Sequence, residues 1–263
     1  GNEDLKPESS TTWTVGTVIT PKGLIPGLSL TADWFDIKIK DAISSLAAQE
    51  AVTLCERGYA DACDTITRDG AGTITRISAQ LINVASLRTK GMDFEASYRV
   101  PDSSFLSLGG RMSARVLATY VMDKEFSPNG VDVFERAGEV NPNADTTLSV
   151  PNWRGTASLN YDRGDFSGFL QTRFIGSAKY DNSFTAEDIN DNKIGAQWYF
   201  NIGARLNVEV ADNKSVQFFA GVNNVFDNAP PAVPLNFISP LATNPIFYDV
   251  IGRSFFAGVR AAF

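Results

Sequence analysis

Arginine in the middle of otherwise apolar β-strands is the feature that most constrains this chain. From Leu106 to Tyr120 every second residue is apolar or small (Leu106, Leu108, Gly110, Met112, Ala114, Val116, Ala118, Tyr120), yet the residues between them include Arg111 and Arg115. The same period runs from Ala196 to Val208, where Trp198, Phe200, Ile202, Ala204 and Leu206 oppose Asn201, Arg205 and Asn207, with Glu209 next in that phase. Phe166, Gly168, Leu170 and Phe174 likewise oppose Gln171 and Arg173. A period of two describes a strand with two unlike faces. A packed core does not take guanidinium groups without partners, so the face bearing Arg111, Arg115, Arg173, Arg205 and Glu209 is expected to meet water. The opposite faces begin and end on aromatics, as in a wall with hydrocarbon outside and a wet lumen inside. The expectation is an all-β fold, an antiparallel transmembrane β-barrel wall with those five charges facing the lumen.

Other stretches fit the same plan. Thr11–Thr20 and Leu28–Lys40 alternate, the second with a phase flip at Trp34-Phe35 that a bulge or emergence from the apolar zone would produce. Met92, Phe94, Ala96, Tyr98 and Val100 oppose Asp93, Glu95, Ser97 and Arg99. Trp153–Tyr161 and Val216–Val222 are further strands, and the chain closes on Phe255-Phe-Ala-Gly-Val-Arg-Ala-Ala-Phe263. There Phe255, Ala257, Val259, Ala261 and Phe263 form one apolar stripe. Short connections of four to seven residues alternate with long ones of about 18 to 32, an arrangement of short periplasmic turns and long extracellular loops. The long stretch 41–72 turns helical near Ala47, Ala48, Ala51 and Val52, and 73–78 is assigned to an outer hairpin because topology leaves room for one crossing, Leu81–Val100. The count is about nine strands. A complete single-chain bacterial barrel has an even number, so an N-terminal part is expected to be missing.

Several classes are excluded. No run approaches 18 consecutive apolar residues, which removes a transmembrane helix but not a barrel. With no histidine in the chain, Ser-His and Cys-His catalysis and His-based metal or haem ligation are unavailable; no enzyme and no cofactor are expected. A net charge of −7 argues against a nucleic-acid partner. Cys55 and Cys63 are spaced too widely for a CxxC redox pair and suit a short structural disulfide in an oxidising compartment better than two free thiols. Residue 1 opens on Gly-Asn-Glu-Asp with no signal peptide, as a trimmed chain or an internal piece would.

Five segments then resemble, in order, the TonB-dependent outer-membrane receptors. Gly1-Asn-Glu-Asp-Leu-Lys-Pro-Glu8 is similar to their GNPxLKPE segment, departing at Glu3. Leu28-Ser-Leu-Thr-Ala-Asp-Trp-Phe-Asp-Ile-Lys-Ile-Lys-Asp-Ala-Ile43 resembles SxDYYDIxIxDAI, and Thr89-Lys-Gly-Met-Asp-Phe-Glu-Ala-Ser-Tyr98 resembles TxGxDxExxY. Ala220-Gly-Val-Asn-Asn-Val-Phe-Asp227 is similar to GVxNLFD, and Gly252-Arg253 with the terminal Phe263 resembles the closing strand. The resemblance implies a barrel of about twenty-two strands around a plug, of which residues 1–263 would be the C-terminal portion. The plug, the TonB box and the first barrel strands have no counterpart here.

Function follows as an expectation from that resemblance: a receptor in the outer membrane of a Gram-negative bacterium that imports a scarce, bulky nutrient, of carbohydrate or iron-chelate type, with energy from TonB. The implied partners are outer-membrane lipid, the N-terminal plug and barrel half of the same parent chain, and the TonB complex acting through the plug. The nutrient ligand and the barrel-assembly machinery complete the set, the latter reading Phe263 and its alternating partners. Loop residues mixing aromatics with acids, Tyr59, Asp61, Asp64, Phe184 and Asp188, are candidate ligand contacts, although solvated loops have the same composition. The acids Asp61, Asp64 and Asp69 lack the spacing of an EF-hand calcium loop. The competing reading is a passive porin whose lumen arginines attract anions.

Overall fold

The computed structural model describes residues 3, 5–45, 48–78, 81–141, 149–211, 214–233 and 242–262. In chain order its elements are β1 (Ser9–Ile19), β2 (Leu28–Ser45), α1 (Ala48–Glu56), α2 (Ala60–Cys63), β3 (Ile66–Arg68), β4 (Ile74–Ile77), β5 (Leu81–Arg99) and β6 (Arg111–Ser127). There follow β7 (Phe134–Glu135), β8 (Trp153–Arg163), β9 (Phe166–Ile175), β10 (Ala178–Lys179), β11 (Lys193–Ile194), β12 (Gln197–Ala211), β13 (Lys214–Asn223) and β14 (Ser254–Ala262). Nine long strands form one sheet in the order β1-β2-β5-β6-β8-β9-β12-β13-β14, with β7 added alongside β6. The long strands match the nine expected. β1 and β14 each have a neighbour on one side only, so the sheet is open and the barrel does not close.

Turn chemistry decides where the chain reverses. Gly164 sits at φ +55° between β8 and β9, and Gly27, at φ +88° before β2, could not carry a Cβ because the Arg99 carbonyl occupies that space. Both positions need glycine. Because successive long strands are neighbours running in opposite directions, connections 20–27, 100–110 and 164–165 fall at one end of the strands and the long loops at the other. One expectation is corrected here. The long strand does not begin near Leu106: Phe105–Ser107 is a turn of 3-10 helix capped by Ser104, and Leu108 lies in the left-handed region at φ 52°. Alternation continued through these residues by composition alone, while Ser104 accepting from the Leu106 N–H at 3.2 Å tightened the backbone. β6 also outruns its expected end, because β7 folds back on it with Phe126 opposite Phe134.

Among the described residues, no second layer covers the apolar face. Val116, Trp198 and Ile202 are 46%, 46% and 43% exposed, an extent of bare apolar surface that requires lipid or another apolar partner. Aromatics crowd its long-loop end: Tyr120 stacks on Trp153 at 4.7 Å, Phe174 meets Trp198 at 4.4 Å, and Phe200 meets Phe226 edge-on at 5.2 Å. An interfacial girdle has this composition. The chain divides into two compact units, residues 1–13, 36–89 and 124–135 in one and 14–35, 90–123 and 136–263 in the other.

Candidate functional site

In the larger unit, strand register sorts the polar face into rows. Leu117, Thr156, Arg173 and Tyr199 stand side by side across β6, β8, β9 and β12, and one step along lie Thr119, Arg154, Ile175 and Gln197. A third row pairs Arg115, Ser158, Gln171 and Asn201, and a further one runs Arg111, Asp162, Ser167, Arg205, Phe219 and Gly258. The four arginines singled out from the sequence therefore share one face, as alternation required. Arg115 is held by Glu95 through two hydrogen bonds of 2.9 and 3.0 Å. Glu209 lies opposite Ser215, beside the irregularity that ends the β12–β13 ladder.

Between the third of those rows and the last, and in the last row itself, aromatic rings cover glycines. Phe169 covers Gly203, Phe256 covers Gly221 and Phe219 covers Gly258, each ring occupying the space a Cβ would need. Such pairing shields bare strand backbone and pins register.

The loops that follow β6, β9 and β13 pack around buried Tyr180, Tyr199 and Tyr248 with Val140, Ile175, Ile194 and Val233. Several polar groups around this core find partners, while the Tyr248 hydroxyl is buried without one among the described residues. Glu139, fully buried, receives Arg136 Nη1 at 2.9 Å, the Ser149 hydroxyl at 2.6 Å and the Asn182 amide N–H at 3.0 Å. Asn224 accepts the Asn228 amide N–H at 2.9 Å and donates to the Asp249 carboxylate at 2.9 Å. Burial pushes the Asp181 carboxyl up, but the Ser183 hydroxyl and N–H, Asn141 and the Arg136 charge outweigh it and leave the group below the ordinary carboxylate range. Burial, with Tyr199 adding to it, pushes the Tyr248 phenol well above its usual value.

Where this loop core meets the polar face there is a cavity of about 300 Å³. Arg154, Arg173, Thr119 and Thr156 line it from the strands, and Ile246 and Phe247 from the loop before β14. The Arg173 guanidinium lies 4.9 Å from the Tyr199 ring centroid, a cation–π contact that fixes its direction. Arg173 was legible in the sequence. Arg154 was not picked out, although Trp153 on the apolar face puts its successor on the polar one.

In the smaller unit, α1, α2 and the β3–β4 hairpin make a lobe around Ala51, Leu54 and Ala62. Cys55 and Cys63 are joined as a disulfide, as expected. Arg57 grips Asp132 with bonds of 3.1 and 3.0 Å. Hydrogen bonding from Asn129 and Arg57 holds the Asp132 carboxyl below its ordinary value.

The candidate ligand contacts fall into both units. Tyr59 is exposed in the smaller one, under the Arg57 guanidinium at 5.9 Å, and Asp64 ends α2 with its N–H on the Ala60 carbonyl. The side chain of Asp61 lies outside the described residues. In the larger unit, Phe184 packs on the loop core with its ring 5.7 Å from Tyr180, and the Asp188 carboxylate accepts the Thr185 N–H and hydroxyl at 2.8 and 2.9 Å. On β14, Phe255, Ala257, Val259 and Ala261 pair with Val222, Ala220, Phe218 and Val216. Phe263 is outside the described residues.

An open antiparallel sheet with one bare apolar face, one charged face, short turns at one end and folded loops at the other defines part of a membrane β-barrel. The family model described as TonB dependent receptor-like, beta-barrel, matches residues 1–225, and the chain belongs to that family. The family is one of transport receptors, not enzymes. Among solved structures, a mutant of the ferric enterobactin receptor of Pseudomonas aeruginosa is similar at 15% identity and a TM-score of 0.59, covering 100% of this chain and 32% of its own. The copper transporter OprC gives 17% identity and a TM-score of 0.55, covering 99% and 32%. The FrpB iron transporter of Neisseria meningitidis gives 14% and 0.57, covering 98% and 32%. This chain thus spans about a third of the length of each of these structures. No curated protein matches the sequence significantly.

Proposed function

We propose that residues 1–263 are the C-terminal portion of the barrel of a TonB-dependent receptor in a Gram-negative outer membrane. The parent protein binds a scarce, bulky nutrient at its extracellular loops and imports it with energy delivered by TonB through a plug. In this reading the apolar face meets lipid, and Arg111, Arg115, Arg173, Arg205 and Glu209 face the lumen. The barrel-assembly machinery reads the β14 stripe that ends at Phe263. The single supporting observation is the open nine-strand sheet whose two edges, β1 and β14, are unpaired. Unpaired edges of that length are not left bare in a membrane, so they call for the remaining strands of the same parent chain. The nutrient class follows the iron-chelate or carbohydrate type, and iron and copper carriers among similar structures favour a metal-bearing cargo over a free sugar.

The test is uptake by cells expressing the complete parent gene, with and without TonB. Saturable uptake of a ferric chelate or oligosaccharide that disappears without TonB supports the receptor. TonB-independent, non-saturable flux of small solutes would make the protein a passive porin and overturn the reading.

A further inference from the structure

Among the described residues, two guanidinium groups face one cavity with no carboxylate to balance them. Arg154 has no hydrogen-bond or ion-pair partner among the described residues, and Arg173 has only the Tyr199 ring at 4.9 Å. None of the described lining residues is acidic, and Asp93, which adjoins through Thr119, already accepts that hydroxyl at 2.6 Å. Arg154 faces Ile175 and Arg173 faces Thr156 across the β8–β9 ladder, which makes the two arginines diagonal neighbours about 7–8 Å apart, within reach of long side chains. That span lets two planar forks converge on one oxyanion, the arrangement in which arginine outperforms lysine. Across the cavity, Ile246 and Phe247 present an apolar wall. At about 300 Å³ the space admits one group of a larger molecule rather than the whole of it.

We infer that Arg154 and Arg173 form a wall subsite for an oxyanion, a carboxylate or phosphate-like group, carried on an aromatic or aliphatic scaffold that rests against Phe247. The inference rests on the import reading above and narrows its cargo to an anionic ligand, excluding a neutral sugar. Tyr199 has a positioning role here, since its ring holds one guanidinium in place without neutralising it.

The test uses the complete receptor in detergent, with phenyl phosphate as the anionic probe and phenyl β-glucoside as the neutral one. Binding is followed by equilibrium dialysis and by the tryptophan emission of Trp153 and Trp198, which adjoin Arg154 and Tyr199 in sequence. Phenyl phosphate is expected to bind, to weaken as salt is raised, and to lose about tenfold or more in affinity with Arg154→Gln or Arg173→Gln. The paired Arg154→Lys and Arg173→Lys changes should recover part of that loss, and heat-modifiable gel migration verifies that each variant is folded. Equal binding to wild type and the folded double glutamine variant, failure of phenyl phosphate to bind wild type, or equal competition by phenyl β-glucoside overturns the inference. If uptake is TonB-dependent while the probe fails, only the subsite falls. If the probe behaves as expected while uptake ignores TonB, the import reading falls and the subsite stands.

Discussion

The glycines beneath Phe219 and Phe256 provide a quantitative test of how the last strand is held in register. The three nearest atoms that a Cβ on Gly258 would meet all belong to the Phe219 ring, two of them at 3.0 Å. A Cβ on Gly221 would meet the Phe256 ring and also the Ile202 carbonyl oxygen at 2.7 Å. Neither glycine has a positive φ, so alanine is allowed by the backbone at both. Gly258→Ala must push one ring aside, an overpacking cost of about 1–3 kcal/mol. Once Phe219→Ala removes the ring, the same substitution should become neutral or favourable by about 0.5–1 kcal/mol, the ordinary preference for alanine over glycine in a strand. A coupling of about 2 kcal/mol is expected between Gly258 and Phe219. At Gly221 the backbone oxygen stays in place when Phe256 is truncated, so Gly221→Ala should cost about 1 kcal/mol or more even beside Phe256→Ala.

Urea unfolding of the complete receptor in lipid vesicles, read by tryptophan fluorescence for the four single and two double variants, measures both cycles. Equal costs for Gly258→Ala with and without the Phe219 ring would refute the claim that these rings determine the packing. Complete rescue of Gly221→Ala by Phe256→Ala would refute the backbone argument.

Three further outcomes are expected. Glu139→Ala strips a fully buried carboxylate from Arg136, Ser149 and Asn182 and should cost about 3 kcal/mol, seen as earlier loss of loop protection in limited proteolysis of the folded receptor. Reducing the Cys55–Cys63 bond, which closes an interval of 8 residues, should remove about 2–3 kcal/mol of restraint from the α1–α2 lobe and open it to protease on intact cells while the sheet keeps its circular dichroism. The Tyr248 phenol is raised above its unfolded value, so its contribution to the loop core is complete below about pH 10 and disappears only as pH rises through the higher folded value. An absorbance titration should therefore show the Tyr248 phenol ionising late and together with loop loosening, and Tyr248→Phe should remove that contribution.

Much of the sheet was readable from residue alternation because each strand meets two fixed environments. Trp198, Ile202 and Leu206 had to share a face, and Arg205 had to take the other, whatever the rest of the chain did. Turn residues such as Gly164 and the single crossing left between Gly72 and Val100 completed the count. The loop core was not readable. Tyr180, Tyr199 and Tyr248 converge from two loops and a strand end with no shared period, and Asn224 and Glu139 find partners 25 to 43 residues away. Their composition looked like that of any solvated loop. Phe184 and Asp188 show the same gap, since nothing local distinguishes a ring packed on Tyr180 or a carboxylate accepting from Thr185 from one left free for a ligand.

Alternation also stops short of function on the strands themselves. It places Arg115, Arg154 and Arg173 on one face, but only register decides their state. Arg115 lands where Glu95 reaches it with two hydrogen bonds and so becomes part of the wall. Arg154 and Arg173 land opposite Ile175 and Thr156, which can neither neutralise nor displace them. A two-residue shift of β8 against β9 in the sense that carries Arg154 away from Arg173 would keep every side chain on its face and leave the hydrophobic pattern intact, yet it would separate the two guanidiniums. Selection on the ligand would therefore act on the register devices, Gly164 in the β8–β9 turn above all, as strongly as on the arginines.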